Sequence, residues 1–302
     1  MQQKKIRVVD LFSGCGGMSL GFQEAGFDVV AAYDNWDPAI EVYKRNFDHP
    51  IIKKDLFDAD SASDIAKHKP EIIIGGPPCQ DFSIAGKRHI GKRANLTLRF
   101  AEIVSEIKPA VFVMENVYNI EKMPILPKAI AVLQNAGYQI EKTVLDASYC
   151  GAPQKRHRFI MIGYLKAPSK TVVSVMKERF SKKAMTVRDY LGDSLGTEFY
   201  YMHPRSYKRR AVFSVDEPAS TIRGVNRPMP ENYHFHPADK CKDKSQIRSL
   251  TSKERSLIQT FPQDFVFEGN KSDVEQMIGN AVPVELAHFV GGVVKACFYD
   301  KR

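Results

Sequence analysis

Polar and apolar positions in the first half of the chain follow two alternating periods. Short runs rich in β-branched residues predict strands: "IRVVDLF" (6–12), "DVVAAYD" (28–34), "EIIIGG" (71–76), "AVFVMEN" (110–116) and "RFIMIGYL" (158–165). Between them, apolar residues recur at helical spacing. "MSLGFQEAG" predicts a helix stopped at Gly26, "NLTLRFAEIVSEI" one stopped before Pro109, and "PKAIAVLQNAG" one stopped at Gly137. "DPAIEVYKRNF" predicts a helix with Asp37 as N-cap and Pro38 at the first helical position. Strand and helix in repeated alternation predict an α/β fold with a mainly parallel sheet flanked by helices.

The pattern breaks after about Lys166. Residues 166–247 hold scattered aromatics, many Pro and Gly, and the basic cluster "KRR" at 208–210. They predict a second, smaller domain of irregular or β structure. Regularity returns at "LTSKERSLIQTF", where Thr251 and Glu254 have capping-box spacing. A last helix is expected from about Val284 to Cys297, after "GNAVP". The expected division is therefore 1–165 with 262–302 in one domain and 166–261 in the other.

Charge narrows the partner. Across 302 residues, 44 Lys and Arg against 35 Asp and Glu leave a net charge of +9, which suits a polyanion, nucleic acid first. A small anionic substrate fits the same balance. Five cysteines, at 15, 79, 150, 241 and 297, are odd in number and form no Cys-x-x-Cys pair. That argues against a disulfide framework and a zinc site, so no metal is expected and a reducing, cytoplasmic setting is. The N-terminal stretch lacks the apolar core of a signal peptide, and no apolar run approaches ~20 residues, so no membrane span is expected.

Candidate chemistry gathers at predicted strand ends. Gly14, Gly16 and Gly17 follow the first strand and precede a helix, so the backbone there can turn tightly against a ligand. Ser19 stands where a dinucleotide fingerprint needs its third glycine, which disfavours a nicotinamide dehydrogenase. Near the second strand end lie Asp34, Asn35 and Trp36: an acid for ribose hydroxyls and a flat ring for a purine. Asp55 and Leu56 follow a third strand end. Together these suggest an adenosine-containing cofactor. Cys79 follows Gly-Gly-Pro-Pro, whose prolines restrict the backbone and so aim the side chain. In isolation a lone cysteine reads first as a small buried hydrophobe, but Gly-Gly-Pro-Pro and Gln80 on either side suit core packing badly. Glu115 ends an apolar strand, where a carboxylate needs a partner or a task. Arg156 and Arg158, two apart, share a face if the strand has begun; a solvated strand edge is the alternative.

"DLFSGCGG", "GGPPCQDFS", "MENV", "QKRHRF" and "GNAVP" occur in the order and spacing of the DNA (cytosine-5)-methyltransferases of bacterial restriction–modification systems. The chain resembles that family from about residue 6 to 297, apart from 166–247. The resemblance implies the class I methyltransferase fold, with S-adenosyl-L-methionine as cofactor, S-adenosyl-L-homocysteine as product, and double-stranded DNA as substrate. It implies that Cys79 is the nucleophile toward carbon 6 of cytosine. Glu115 would contact ring nitrogen 3 and the exocyclic amine, Arg158 the base carbonyl and Glu115, and Arg156 a phosphate or the moving loop. Cofactor contacts carry over to Phe12, Gly14, Gly16, Trp36, Asp55, Leu56, Pro77, Asn280 and Val282. The family usually has a glutamate where this chain has Asn35, so the ribose contact falls to Asn35 or to Asp34.

Cytosine in a duplex hides its carbon 6, so the base must be flipped out. The segment 81–100 carries Lys87, Arg88, Lys92 and Arg93 and corresponds to the family's closing loop; Gln80, Ser83, Lys87, Arg88 and Arg93 are expected DNA contacts. Residues 166–247 correspond to the target-recognition region. There Thr221-Ile222 resembles the family's Thr-Leu signature, and Arg223, Asn226 and Arg227 are candidate base readers. A cognate restriction endonuclease acting separately and a monomeric state are expected. The rivals are the same chemistry on transfer RNA, disfavoured by the roughly eighty-residue recognition region, and a catalytically inactive DNA-binding homologue, disfavoured by Cys79, Glu115 and Arg158.

Overall fold

The computed structural model describes residues 5–78, 96–206 and 208–300. They form two compact units. The first comprises 1–145, 157–179 and 287–302; the second comprises 146–156 and 180–286.

The first unit runs β1 (Arg7–Leu11), α1 (Gly17–Glu24), β2 (Asp28–Asp34), α2 (Asp37–Asn46), β3 (Ile51–Lys53), α3 (Ser61–Ala66), β4 (Ile72–Gly75), α4 (Leu96–Ile107), β5 (Val111–Val117), α5 (Ile125–Asn135) and β6 (Gln139–Asp146). After β7 (Gln154–Lys155), which lies in the second unit, come β8 (His157–Tyr164) and α6 (Val172–Arg179). Seven strands make one sheet in the order β3-β2-β1-β4-β5-β8-β6. β1 to β5 pair in parallel, and β8 runs antiparallel to β5. The mainly parallel sheet expected from the sequence is therefore present. α4 and α5 pack over one face, with Phe100, Val104, Phe112, Leu133 and Phe159 among the fully buried residues.

Chain order reverses between β1 and β4, the switch point where open α/β sheets bind ligands. The register aligns the strand ends. Leu11 lies opposite both Tyr33 and Gly75, and Gly75 opposite Met114. The next residues along, Phe12, Asp34, Gly76 and Glu115, therefore share one rim of the sheet. Gly75 must be glycine, because a Cβ there would stand 2.5 Å from the Leu11 carbonyl oxygen.

The second unit contains α7 (Val187–Leu191), β9 (Phe199–Tyr201), β10 (Val212–Ser214), β11 (Ala219–Ser220), β12 (Ile247–Ser249), α8 (Ser252–Ile258) and α9 (Lys271–Asn280). α10 (Val284–Phe298) begins in it and ends in the first unit. Its sheet is small: β9 pairs with β10 antiparallel and with β12 in parallel. A buried carboxylate organises the irregular part. Asp239 accepts the N–H groups of Ala211, Val212 and His236 and the Tyr233 hydroxyl, all within 2.9 Å. Burial pushes its carboxyl up, but those donors outweigh burial and hold it below the usual range.

Several elements differ from the sequence-based expectation. α2 begins with Asp37, so Trp36 rather than Asp37 is the cap residue, and the Asp37 carboxylate pairs with Lys53 at the surface. The Thr251–Glu254 capping box is present: Thr251 N–H donates to Glu254 at 2.8 Å and Glu254 N–H to the Thr251 hydroxyl at 3.2 Å. Residues 166–179 pack with the first unit, where Ser169 N–H and its hydroxyl both donate to the Cys297 carbonyl. Residues 262–286 pack with the second. The stretch Lys271–Phe298 is apolar and long enough to cross a membrane by length and composition, although the sequence reading expected no such segment. The chain turns extended at Ala281 between α9 and α10, and most of the stretch's apolar window is buried in the fold.

Candidate active site

The turn after β1 is shaped by backbone conformation. Phe12, Gly14 and Gly16 all have positive φ, at 59°, 54° and 96°. Glycine takes this region freely, whereas at Phe12 it costs about 1–3 kcal/mol, which the surrounding structure must hold in place. Ser13 N–H donates to the Tyr33 carbonyl, and Gly16 N–H to Ser13. A Cβ placed on Gly14 would meet nothing within 4 Å, so open room lies against this backbone. That room adjoins the Asp34 carboxylate, which accepts the Gly14 N–H.

Asp34 ties the turn to the end of β2. Its Oδ2 accepts Gly14 N–H at 2.8 Å, and its Oδ1 accepts the N–H groups of Asn35 and Trp36 at 2.8 and 2.9 Å. Burial pushes its carboxyl above the usual range, and the three donors oppose that. Asp34 is thus committed to the backbone, whereas Asn35 is exposed. Asp55 is exposed and its Oδ1 accepts Phe57 N–H, while Leu56 is buried in the core. Asn280 and Val282 lie in the second unit; Asn280 is exposed and accepts the Gln276 amide at 2.8 Å.

The end of β5 carries an acid and a cation in one contact. Arg158 Nε donates to Glu115 Oε1 at 2.7 Å, and Arg158 also donates to the His157 carbonyl at 2.8 Å. Both side chains are nearly buried, at 13% and 10% exposure. Burial pulls the guanidinium below its usual value, and Glu115 opposes this. Gly76 allows the close approach of the neighbouring chain, since a Cβ there would lie 3.2 Å from Glu115 Oε2. Asn116, absent from the sequence-based candidates, donates to the Pro77 carbonyl at 3.0 Å and so fixes the backbone two residues before Cys79. "MENV" contained this signal: a second buried polar residue beside the acid. Cys79, Gln80, Ser83, Lys87, Arg88, Lys92 and Arg93 lie outside the described residues.

Arg156 departs from its expected role on a phosphate or a moving loop. It is 1% exposed and donates to the carbonyls of Ile222, Gly279 and Ala281 at 2.7, 2.9 and 3.0 Å. Gln154 adds a donor to Ile258 and accepts Ile222 N–H. Gly279 runs so close to residues 223–224 that a Cβ would lie 2.1 Å from Gly224 N. Inside the second unit Gln154 and Arg156 of "QKRHRF", Ile222, and Gly279 and Ala281 of "GNAVP" are therefore one buried polar clamp. Arg156→Ala is expected to strand those carbonyls and cost about 3 kcal/mol or more; a urea melt of the full chain measures it, with Arg156→Lys in between.

The base-reader candidate Asn226 and the signature residue Thr221 are also engaged. Asn226 donates to the Leu250 carbonyl at 3.0 Å and to Glu275 at 2.8 Å, so its amide N–H groups are taken. The Thr221 hydroxyl donates to the Lys155 carbonyl at 2.7 Å. Arg223 donates to the His203 carbonyl and is partly buried; Arg227 is exposed. Glu275 also forms a buried ion pair with Arg255. A separate cleft of about 330 Å³ in this unit is lined by Arg188, Asp193, Glu198 and Gln246, among others, and by none of the expected site residues.

Comparison with known proteins agrees with this arrangement. Residues 6–296 match the family model of the C-5 cytosine-specific DNA methylases. The Type II methyltransferase M.HgiDI of Herpetosiphon aurantiacus is 56% identical over 98% of this chain and 96% of its own. The Type II methyltransferase M.HindV of Haemophilus influenzae is 54% identical over 96% of each. Among solved structures, the S. pombe Dnmt2 methyltransferase superposes with a TM-score of 0.72 over 97% of this chain and 99% of that one, at 18% identity. The Entamoeba histolytica methyltransferase EhMeth does so with 0.73 over 97% and 98%, also at 18%. These distant neighbours share the fold, and the close relatives share the sequence along nearly its whole length. The chain therefore belongs to the C-5 cytosine-specific DNA methylases and is a DNA (cytosine-5-)-methyltransferase.

Proposed function

We propose that this enzyme methylates carbon 5 of a flipped cytosine in a specific double-stranded DNA site, through a covalent adduct with Cys79. The observation that carries the reading is the nearly buried Glu115–Arg158 pair, beside the Gly76–Pro77 turn that leads to Cys79. Carbon 5 of cytosine is a poor nucleophile. Attack of the Cys79 thiolate on carbon 6 forms an S–C bond and pushes electron density toward carbon 5. Glu115 would hold ring nitrogen 3 and the amine, donating a proton as negative charge develops. Arg158, fixed by Glu115 and the His157 carbonyl, would hold the base oxygen. S-adenosylmethionine, when bound, supplies an electrophilic methyl group. The carbon 5 proton then passes to solvent water, the Cys79 thiolate leaves with the electrons of its bond to carbon 6, and Glu115 takes back the nitrogen 3 proton, restoring the aromatic ring.

Phe12, Gly14, Gly16, Trp36, Asp55 and Pro77 are proposed to hold the cofactor, with Asn35 as the ribose contact, since Asp34 spends both oxygens on backbone N–H groups. Leu56 would act from the core beneath, and the family resemblance adds Asn280 and Val282. That unit is proposed as the target-recognition domain, with Arg223 and Arg227 the remaining base-reader candidates. The names of the close relatives support a place in a Type II restriction–modification pair. The methyl group would protect host DNA from a separate endonuclease, in the cytoplasm, with the enzyme acting as a monomer.

DNA carrying 5-fluorocytosine at the target tests the route. Fluorine cannot leave as a proton, so the enzyme should remain covalently attached and migrate with the DNA under denaturing conditions. Clean release of that DNA after methyl transfer would contradict the adduct.

A further inference from the structure

A run of buried polar side chains beneath the glycine turn has no part in the steps above. Asp10 is fully buried, and its Oδ2 accepts the Ser19 hydroxyl at 2.6 Å. The Ser19 oxygen accepts the Tyr43 hydroxyl at 2.7 Å, and that hydroxyl lies 2.6 Å from His49 Nε2. A phenol has one proton, here given to Ser19, so His49 donates from Nε2. Its Nδ1 then faces the Gln23 amide at 3.5 Å as acceptor. Every proton in the run therefore points the same way, from the half-buried imidazole toward the buried acid. Asp10 Oδ1 has no hydrogen-bond partner among the described residues, a costly state for a buried oxygen.

The run borders both segments assigned to the cofactor. Asp10 and Ser19 flank residues 12–17, so their bond closes the turn at its base. Gly16 packs directly on the relay: a Cβ there would lie 3.0 Å from the Tyr43 ring and too near Phe47, which stacks on Tyr43 at 4.2 Å. Tyr43 stands on α2, the helix that Trp36 caps. We propose that Asp10, Ser19, Tyr43 and His49 are positioning residues for the cofactor, holding the glycine turn and the Trp36 helix in register through one polarised hydrogen-bond chain. This rests on the cofactor placement proposed above.

The relay makes cofactor affinity depend on pH. Asp10 is faced by Ser19 on α1, Asp34 on β2 and Tyr43 on α2. Burial pushes its carboxyl up to about 7, against the Ser19 hydrogen bond and with the help of Asp34. His49 is faced by Gln23 on α1, Asp28 on β2 and Asp48 beside it; burial pulls it down, so it stays neutral around pH 7. An ionised Asp10 accepts the Ser19 proton more strongly than the neutral acid. The turn is then held more firmly, and affinity rises as pH rises through the neutral range.

Calorimetric titration of the full chain with S-adenosylhomocysteine, between about pH 6 and pH 8.5, tests this. The native chain should bind severalfold tighter at the upper end. Asp10→Asn should bind with a pH-independent Kd. Tyr43→Phe should weaken binding about tenfold, about 1.4 kcal/mol, and move the midpoint of the profile upward. At saturating cofactor its kcat should be unchanged. Native-like profiles in both variants overturn the relay. If Asp10→Asn does not melt cooperatively, the Tyr43→Phe midpoint and its KM-against-kcat split decide alone. Trp36→Ala separates the two readings. Lost binding there with native profiles in the relay variants sinks only the relay; undiminished binding there sinks the cofactor placement itself.

Discussion

Replacing Cys79 with alanine is expected to lower methyl transfer by about four orders of magnitude or more while leaving S-adenosylmethionine binding intact. The size of the effect follows from the chemistry. Without a covalent bond at carbon 6, carbon 5 keeps aromatic electron density and does not attack. No other described thiol is placed to substitute. Cys15 and Cys150 are buried, with thiols pushed up by burial to about 12, and Cys297 to about 11, so none supplies thiolate at neutral pH. Cys241 lies in a turn of the second unit, where its thiol donates to the Asp243 carbonyl at 3.6 Å. Transfer of labelled methyl groups to DNA, beside calorimetry with the cofactor, reads both halves. Appreciable turnover in Cys79→Ala would assign the nucleophile elsewhere.

Glu115→Gln is expected to act on chemistry and on stability together. An amide cannot deliver a proton to ring nitrogen 3, and loss of a positioned acid typically costs about 10²–10⁴ in kcat. The same change leaves the nearly buried Arg158 facing a neutral group where it had an ion pair. Breaking such a pair from one side costs about 3 kcal/mol. The melting temperature should therefore fall in Glu115→Gln and recover partly in Glu115→Gln with Arg158→Gln, while turnover stays lost in both. A double variant no more stable than the single one would show that the pair does not act as a unit.

The glycine turn, the acid at the end of β5 and the cation of β8 were all visible as motifs. So were the three strands that carry them, β1, β5 and β8, because strands buried on both faces read as apolar runs. β6 escaped because only one of its eight residues is buried, so its sequence "QIEKTVLD" shows no apolar run. α3 has six residues, too few for a periodic signal, and α9 was hidden in a polar segment, although Asn270 caps it through Asp273 N–H. The buried carboxylate of Asp239 explains why residues 199–247 fold despite weak periodicity: side-chain-to-backbone hydrogen bonds do there what regular ladders do elsewhere. No pattern of apolar residues reports such bonds.

By itself the sequence determined the family, the parallel sheet and the residue types of the chemistry, since these depend on local spacing and on side chains whose reactivity is intrinsic. The tertiary structure decided what each polar group is bonded to. It turned Arg156 from an expected contact to a phosphate or a moving loop into a buried clamp on three carbonyls, and gave Asn226 and Thr221 partners within the protein. It committed Asp34 to three backbone N–H groups and joined Asp10 to His49 across 39 positions of chain. The physical reason is that a hydrogen bond depends on angstrom-scale proximity between residues far apart in the chain, and only the packed fold sets that distance.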